Sequence, residues 1–302
     1  MTPADFNCDR DRNLHRIGSQ LLEGYRFGDL VAHPVPKPDG KKEGIICVPT
    51  VRDRLVQRVI GAHLSIRVQR IGALNEASFG FIKGRGAPQA RDRAIALRRM
   101  HPWAYKSDIS AFFDRIPRDE LFDTVKRSVR TPSLNDLLRR AIDCEIDTRD
   151  PAIWRKVNAA GIVNGLGVRQ GMPLSPLFAN ILLKEFDRVF LSRGHSLVRY
   201  AHDFIVFADN ERECLAADKL AISVLANIGL ELPPLLGHGG KTQIRPPDRY
   251  VEFLGLSLDL SSSGNYELLI TRGQLEYIKQ NIGLLNNLTT SQREILVFQI
   301  SL

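Results

Sequence analysis

The chain has 302 residues, enough for one large domain or two to three small ones around a sizeable core. Its composition, 43% hydrophobic and 25% charged, is that of an ordinary globular protein, and no apolar run reaches the roughly 18 residues that cross a bilayer, which excludes an integral membrane protein. A net charge of +8 suits a polyanionic partner. The first residues, Met1 to Asp11, are polar and lack the apolar stretch of a secretory signal. Cys8, Cys47, Cys144 and Cys214 are scattered without a C-x-x-C pair, so the expectation is a reduced, cytoplasmic chain with neither disulfide framework nor zinc knuckle.

Leu14, Ile17, Leu21 and Leu22 recur at helical spacing and predict an amphipathic helix over Arg12–Tyr25. Pro34, Pro36, Pro38 and Asp39-Gly40 mark extended chain and a turn, followed by a short β-branched strand from Gly44 to Pro49. Helical periodicity returns over Leu55–Ile71 and Pro88–Met100. Trp103–Ile109 reads as a strand; Arg118–Val129, Ser133–Cys144 and Ser175–Leu191 read as helices. Ser196–Tyr200 and Asp203–Phe207 form a predicted hairpin turning at Ala201-His202. A helix over Glu211–Ile228, a loop over Gly237–Gly240, a strand over Tyr250–Leu258 and a helix over Thr271–Leu288 complete the expectation, with at most a short helix after Thr289. Strands interspersed with helices without a regular β-α-β beat imply an α+β fold.

The charge is unevenly spread. Between Val51 and Met100 there are eleven Arg or Lys against three acids, so a basic lobe is joined to a nearly neutral body. Such a lobe suits a phosphate backbone, whose neutralised phosphates release counterions; a solvated Arg-rich surface is the alternative.

Four segments concentrate polar residues among apolar ones. Lys106 to Ile116 ends a strand on Asp108 and adds a second acid, Asp114, after two phenylalanines. Gly167 to Asn180 is a glycine- and proline-punctuated loop feeding a helix, where backbone can lie close to a flat ligand. Arg199 to Phe204 is a polar hairpin tip, and Gly240-Lys241-Thr242 precedes Glu252-Phe253-Leu254-Gly255.

In this order and spacing the segments resemble the palm motifs of reverse transcriptases, nearest to group II intron-like and other bacterial enzymes of that kind. Val48 to Gln57 and Ser78 to Gly86 resemble the family's two fingers motifs, so the likeness runs from about residue 30 to 258. It implies a right-hand polymerase with an antiparallel palm sheet packed by helices: fingers over 1–101, palm over 102–258 and a minimal thumb over 259–302. It also implies RNA-directed DNA synthesis from dNTPs on an RNA template with a DNA or RNA primer. The chemistry would be two-metal nucleotidyl transfer, with Mg²⁺ (or Mn²⁺) held by converging oxygen ligands.

The resemblance assigns residues one by one. Asp108, the Ile109 carbonyl, Asp203 and, at the position of a family aspartate, His202 would form the metal site. Phe113 matches the aromatic that excludes a 2′-hydroxyl, and Gln170 and Gly171 lie under the incoming nucleotide. Arg52 and Arg54 would grip the triphosphate, because guanidinium forks fit phosphate oxygens in pairs; pairing with Asp53 on a helix surface is the alternative. Lys83 and Arg85 would touch template backbone, Lys241 would stand near the leaving pyrophosphate, and Phe253, Leu254 and Gly255 match the primer grip.

One departure stands out: the family's Tyr-Ala-Asp-Asp is here Tyr200-Ala201-His202-Asp203. Imidazole is a softer ligand than carboxylate and suits manganese or zinc better than magnesium. Three readings stand: an introduced, inactivating substitution; a natural enzyme that uses Mn²⁺ or rests on Asp203; or a polymerase-fold RNA-binding subunit that works with a partner polymerase. The 44 residues after Leu258 leave room for a minimal thumb only, and the retron Val-Thr-Gly signature is missing. By length and elimination, a stand-alone bacterial enzyme of the kind associated with phage defence remains, with a non-coding RNA and a partner protein as further expected partners.

Overall fold

The computed structural model describes residues 2–36, 43–235, 240–271, 273–276 and 278. The chain opens with α1 (Pro3–Cys8), whose first turn is closed by a reciprocal Thr2–Asp5 capping box, and α2 (Arg10–Glu23). β1 (Val31–Pro36) and β2 (Glu43–Val48) pair antiparallel, Val31 opposite Val48. α3 (Val51–Ser65) starts where the Thr50 hydroxyl caps the Asp53 amide. After α4 (Val68–Ile71) and α5 (Ala87–Met100), the chain enters β3 (Trp103–Asp108). α6 (Phe112–Arg115), α7 (Arg118–Val129), a 3₁₀ turn at Pro132–Leu134, α8 (Asn135–Ile142) and α9 (Pro151–Ala159) follow. α10 (Ser175–Ser192) leads into the hairpin β4 (Ser196–Tyr200) and β5 (Asp203–Ala208), then α11 (Glu211–Ala226) and β6 (Gln243–Arg245). β7 (Val251–Phe253), β8 (Leu256–Leu260) and β9 (Tyr266–Ile270) close the described part.

The central sheet has the order β4-β5-β3-β6, antiparallel throughout. Both faces are covered, which is why β5 reads as a continuous apolar run, Phe204 to Ala208, and not as an alternation. Phe204 and Val206 point to one face with Tyr105, packed by Phe178, Phe186 and Phe190 of α10 and Cys214 of α11. Ile205 and Phe207 point to the other with Ala104 and Val198, against Ala90 and Ala94 of α5 and Phe253 and Leu258 of the β7-β8-β9 sheet. The period of two along each strand divides the two cores. A third, smaller core joins β1 and β2 (Ala32, Ile45, Cys47) to Ile146, Val157 and Met172.

The fold is α+β, as expected. Leu55–Ile71 is two helices, with Ile66 and Arg67 in the break between them. Tyr250–Leu258, expected as one strand, is a hairpin: Leu254 (φ 49°) and Gly255 (φ 81°) both take left-handed backbone, the signature of a primed two-residue turn. Of the expected helix over Thr271–Leu288, residues 273–276 and 278 are helical and most of the rest lies outside the described residues, as do the segment after Thr289 and Leu236–Gly239 of the expected loop. Among the described residues no helix is long and apolar enough to cross a membrane, and all four cysteines are free.

Candidate active site

Asp108 is the last residue of β3 and Asp203 the first of β5, and the two stand directly opposite each other in the antiparallel register. The Ile109 amide donates to the His202 carbonyl at 3.2 Å, fastening the strand end to the hairpin turn. Burial is the main force opposing ionisation of Asp203, and the Asp108 charge adds to it; His202, Lys106 and Lys241 pull the other way without overcoming it, so its pKa is raised. Lys241 donates to Asp108 Oδ2 at 2.6 Å, although its own side chain is 70% exposed. Its loop is held by Thr242, whose hydroxyl lies 2.7 Å from that of Ser107 and donates to the Pro233 carbonyl at 2.6 Å.

The hairpin turn is held from behind. Ala201 has a left-handed φ of 56°, which a non-glycine residue adopts only under constraint. Arg199, wholly buried, donates to both oxygens of the equally buried Asp187 at 2.6 Å, to Asn180 Oδ1 at 3.2 Å, to the Ala201 carbonyl at 2.8 Å and to the Ser78 hydroxyl at 3.0 Å. Asn75 adds a bond to Asp187 Oδ2 at 2.7 Å. Gly80 packs against the turn so closely that a Cβ there would stand 2.4 Å from the Ala201 nitrogen.

The Gln170 loop is pinned on both sides. Val168 and Gly167 donate to the Phe113 and Ile116 carbonyls at 2.8 and 2.9 Å, and Cys47 of β2 donates to the Gln170 carbonyl at 2.7 Å. Gly171 (φ 100°) admits no side chain, since a Cβ would lie 2.4 Å from the Cys47 carbonyl oxygen. Beneath the loop, Glu145 accepts from Arg118 and Arg169 at 2.6 Å each and from the Gly165 amide at 2.7 Å. Burial works against the Glu145 carboxylate, yet these donors outweigh it and hold the carboxyl below its usual range. Gln170 itself is exposed.

Phe113 is buried and stands edge-on to His202, ring centroids 6.2 Å apart, while Phe112 stacks on the imidazole at 5.9 Å. Arg52 donates to Gln20 at 3.1 Å and lies over the Tyr25 ring, whereas Asp53 is buried among Tyr25, Thr50 and Gly28 donors and not paired with either arginine. The Arg54 and Lys83 side chains have no hydrogen-bond partner among the described residues. Arg85 turns into its own loop, donating to the carbonyls of Asn75 and of Ser78, the latter at 2.8 Å. Phe253 is buried in the core beneath the Leu254-Gly255 turn.

The donor set suits a hard dication. Asp108 Oδ1 is buried without a partner in the structure, and the Asp203 carboxyl is one whose ionisation a nearby cation would relieve. His202 Nδ1 is likewise buried and unpartnered. Among the described residues no three His, Cys, Asp or Glu side chains converge as a ready-made cluster, so the fit is that of two opposed carboxylates.

The Arg199–Asp187 and Arg118–Glu145–Arg169 groups escape sequence reasoning, because each joins residues that no motif spacing relates. A faint signal exists for the first: Asp187 interrupts the apolar face of α10 between Phe186 and Phe190.

Paired antiparallel strands that set two acids opposite each other, backed by helices, define a polymerase fold. A family profile described as reverse transcriptase (RNA-dependent DNA polymerase) matches residues 35–258, and the chain belongs to that family. It is 28% identical over 194 residues to Protein YkfC of Escherichia coli strain K12, covering 60% of this chain and 46% of that protein. It is 28% identical over 153 residues to an uncharacterized 91 kDa protein in a cob intron of Schizosaccharomyces pombe, covering 51% of this chain and 18% of that one. The chain thus spans less than half the length of these relatives. Among solved structures, apo telomerase from Candida tropicalis truncated from its C-terminal domain superposes with a TM-score of 0.55 at 15% identity, covering 83% of this chain and 58% of that one. Telomerase from Candida albicans in complex with a fragment of telomeric RNA gives 0.56 at 13% identity, covering 84% and 47%. At such identities these two likenesses speak for the fold.

Proposed function

We propose that the chain is an RNA-directed DNA polymerase whose chemistry is centred on Asp108 and Asp203, and the observation that carries this reading is their direct opposition across β3 and β5. Asp108, Asp203 and the Ile109 carbonyl would hold Mg²⁺ or Mn²⁺, which in a two-metal site activates the primer 3′-hydroxyl and shields the triphosphate. The exposed Gln170 and the bare Gly171 backbone offer a flat seat for a dNTP. Phe113, edge-on to His202, would crowd a 2′-hydroxyl. Lys241 neutralises Asp108 while the site is at rest and is released to meet the departing pyrophosphate. Arg52, Arg54, Lys83 and Arg85 belong to the basic face proposed to carry triphosphate and template backbone, and Phe253, Leu254 and Gly255 to the seat of the primer end. We assign residues 1–101 to fingers, 102–258 to palm and 259–302 to thumb, and the biological setting to bacterial antiphage defence in the cytoplasm, with a non-coding RNA and a partner protein as further partners.

Primer extension with dNTPs on an RNA template, in Mg²⁺ and then in Mn²⁺, tests the proposal. Product that vanishes in Asp108→Asn supports it. If neither metal gives product and His202→Asp does not restore it, the catalytic reading fails. A second reading, a polymerase-fold RNA-binding subunit acting with a partner polymerase, is favoured by the imidazole at position 202. It requires RNA binding that is unchanged in Asp108→Asn.

A further inference from the structure

Away from the palm carboxylates, Arg67 and Arg70 of the α3–α4 segment, Arg127 and Arg130 at the end of α7, and Lys184 of α10 line one cavity of about 170 Å³. At roughly 30 Å³ per liquid water, that is the space of about six waters, enough for a phosphate group and part of its hydration. We propose that this cavity is a second nucleic-acid site, one that grips the sugar-phosphate backbone of a folded RNA segment lying outside the template cleft. The inference rests on the RNA-handling reading above but not on synthesis.

The position separates it from the catalytic loop. Arg118, at the start of α7, donates to the Gly167 carbonyl at 2.8 Å, and α10 begins at Ser175, immediately after the same loop. At 1.5 Å per residue, Ser128 and Lys184 lie about 14–15 Å along these helices from that end. There the Lys184 ammonium donates to the Ser128 hydroxyl at 2.7 Å and to the Ile71 carbonyl at 3.0 Å, which holds it in the cavity lining.

The charges are poorly compensated from within. Arg127 meets Glu120 at 3.4 Å, and Glu185, beside Lys184, is engaged by Arg188 at 2.8 Å. Arg130 donates to the Arg127 carbonyl at 3.2 Å, and the Arg67 and Arg70 side chains have no hydrogen bond or ion pair among the described residues. Burial, and then the Arg127 and Arg130 charges, push the Lys184 pKa down despite Glu185, so a bound anion would relieve a like-charge cluster. Guanidinium forks from two separate segments, α3–α4 and the end of α7, suit phosphate oxygens. No aromatic side chain is among the lining residues, so the cavity reads backbone and not base. It also continues the basic lobe of α3 to α5.

The test is binding of a fluorescein-labelled 30-nucleotide RNA hairpin to the full chain, followed by anisotropy from 50 to 300 mM NaCl. Each lost phosphate contact lowers the slope of log K against log salt by about 0.7–0.9, so Arg67→Gln/Arg70→Gln/Arg130→Asn is expected to lower it by about 2–3 and to weaken binding roughly 30–100-fold at 150 mM. Asparagine at 130 keeps the left-handed backbone there (φ 51°), and circular dichroism checks the fold. A control that removes the same charge elsewhere, Arg10→Gln/Arg155→Gln/Arg249→Gln, is expected to move the slope by less than about 1. Equal losses in both variants overturn the proposal, as does an unchanged slope in the cavity variant. Flotation with 30% phosphatidylglycerol vesicles that is lost in the cavity variant while its RNA slope stays put would also overturn it, in favour of a membrane headgroup. Failure of primer extension bears on the catalytic reading alone.

Discussion

Truncating Asp187 to alanine exposes the reasoning about the hairpin most directly. The substitution removes both 2.6 Å charge-assisted bonds to Arg199 and the Asn75 contact, and it leaves a fully buried guanidinium with neutral partners only: Asn180, Ala201 and Ser78. Stranding one member of a buried pair typically costs about 3–5 kcal/mol, because the charge has lost its counterion and cannot regain water. With an m-value of about 3 kcal/mol/M, the urea midpoint falls by about 1–1.7 M. Intrinsic fluorescence follows the transition, since Trp103 sits in β3 of the same sheet. The double variant Asp187→Leu/Arg199→Met, which removes both charges, is expected to recover at least half of the loss. A loss under about 1 kcal/mol in the single variant, or a double variant as unstable as the single one, would show that Arg199 does not depend on this carboxylate.

Asp203 offers a pH test. Its raised pKa means that ionisation is harder in the folded chain than in the unfolded one, so its contribution is favourable below about pH 4 and is lost as pH rises through the folded value. Asp203→Asn is therefore expected to raise Tm at pH 7–8 and to leave it unchanged near pH 3; equal gains at both would contradict the burial argument. Gly171→Ala forces a Cβ into the Cys47 carbonyl at a left-handed position, and a loss of about 2 kcal/mol or more by urea titration is expected. Glu145→Gln removes the charge shared by Arg118 and Arg169 and is expected to cost about 2–3 kcal/mol, with the loss of stability at low pH in the parent largely absent from the variant. A variant that still lost the same stability between pH 5 and 3 would place the acid-sensitive group elsewhere.

Much of this was legible in the sequence where local signals are strong. The boundaries of α7, and the β4–β5 hairpin with its turn at Ala201-His202, follow from apolar periodicity that changes from helical to alternating on either side of turn residues. The prolines at 34 and 36 concealed β1, which tolerates them because it belongs to a two-stranded ribbon and not to a central strand position. α9 is not expected from the sequence although Asp150 caps it at 2.8 Å before Pro151; it is a short helix of which only Val157 is buried. Within the site, Asp108, Asp203, Lys241 and the Gln170 loop are carried by ordered motifs. What fixes them in place is not, since the Arg199 network joins Asn75, Asn180 and Asp187 from three separate stretches, and only folding brings such partners together.

The bond from the Cys47 amide to Gln170 has one more consequence. Burial pushes the Cys47 thiol up to about 12, so at neutral pH almost no thiolate exists to react while the β-ribbon stays seated on the loop. Alkylation of this sulfur then keeps time with the ribbon lifting away, and the protein carries its own clock for how often the ribbon parts from the Gln170 loop.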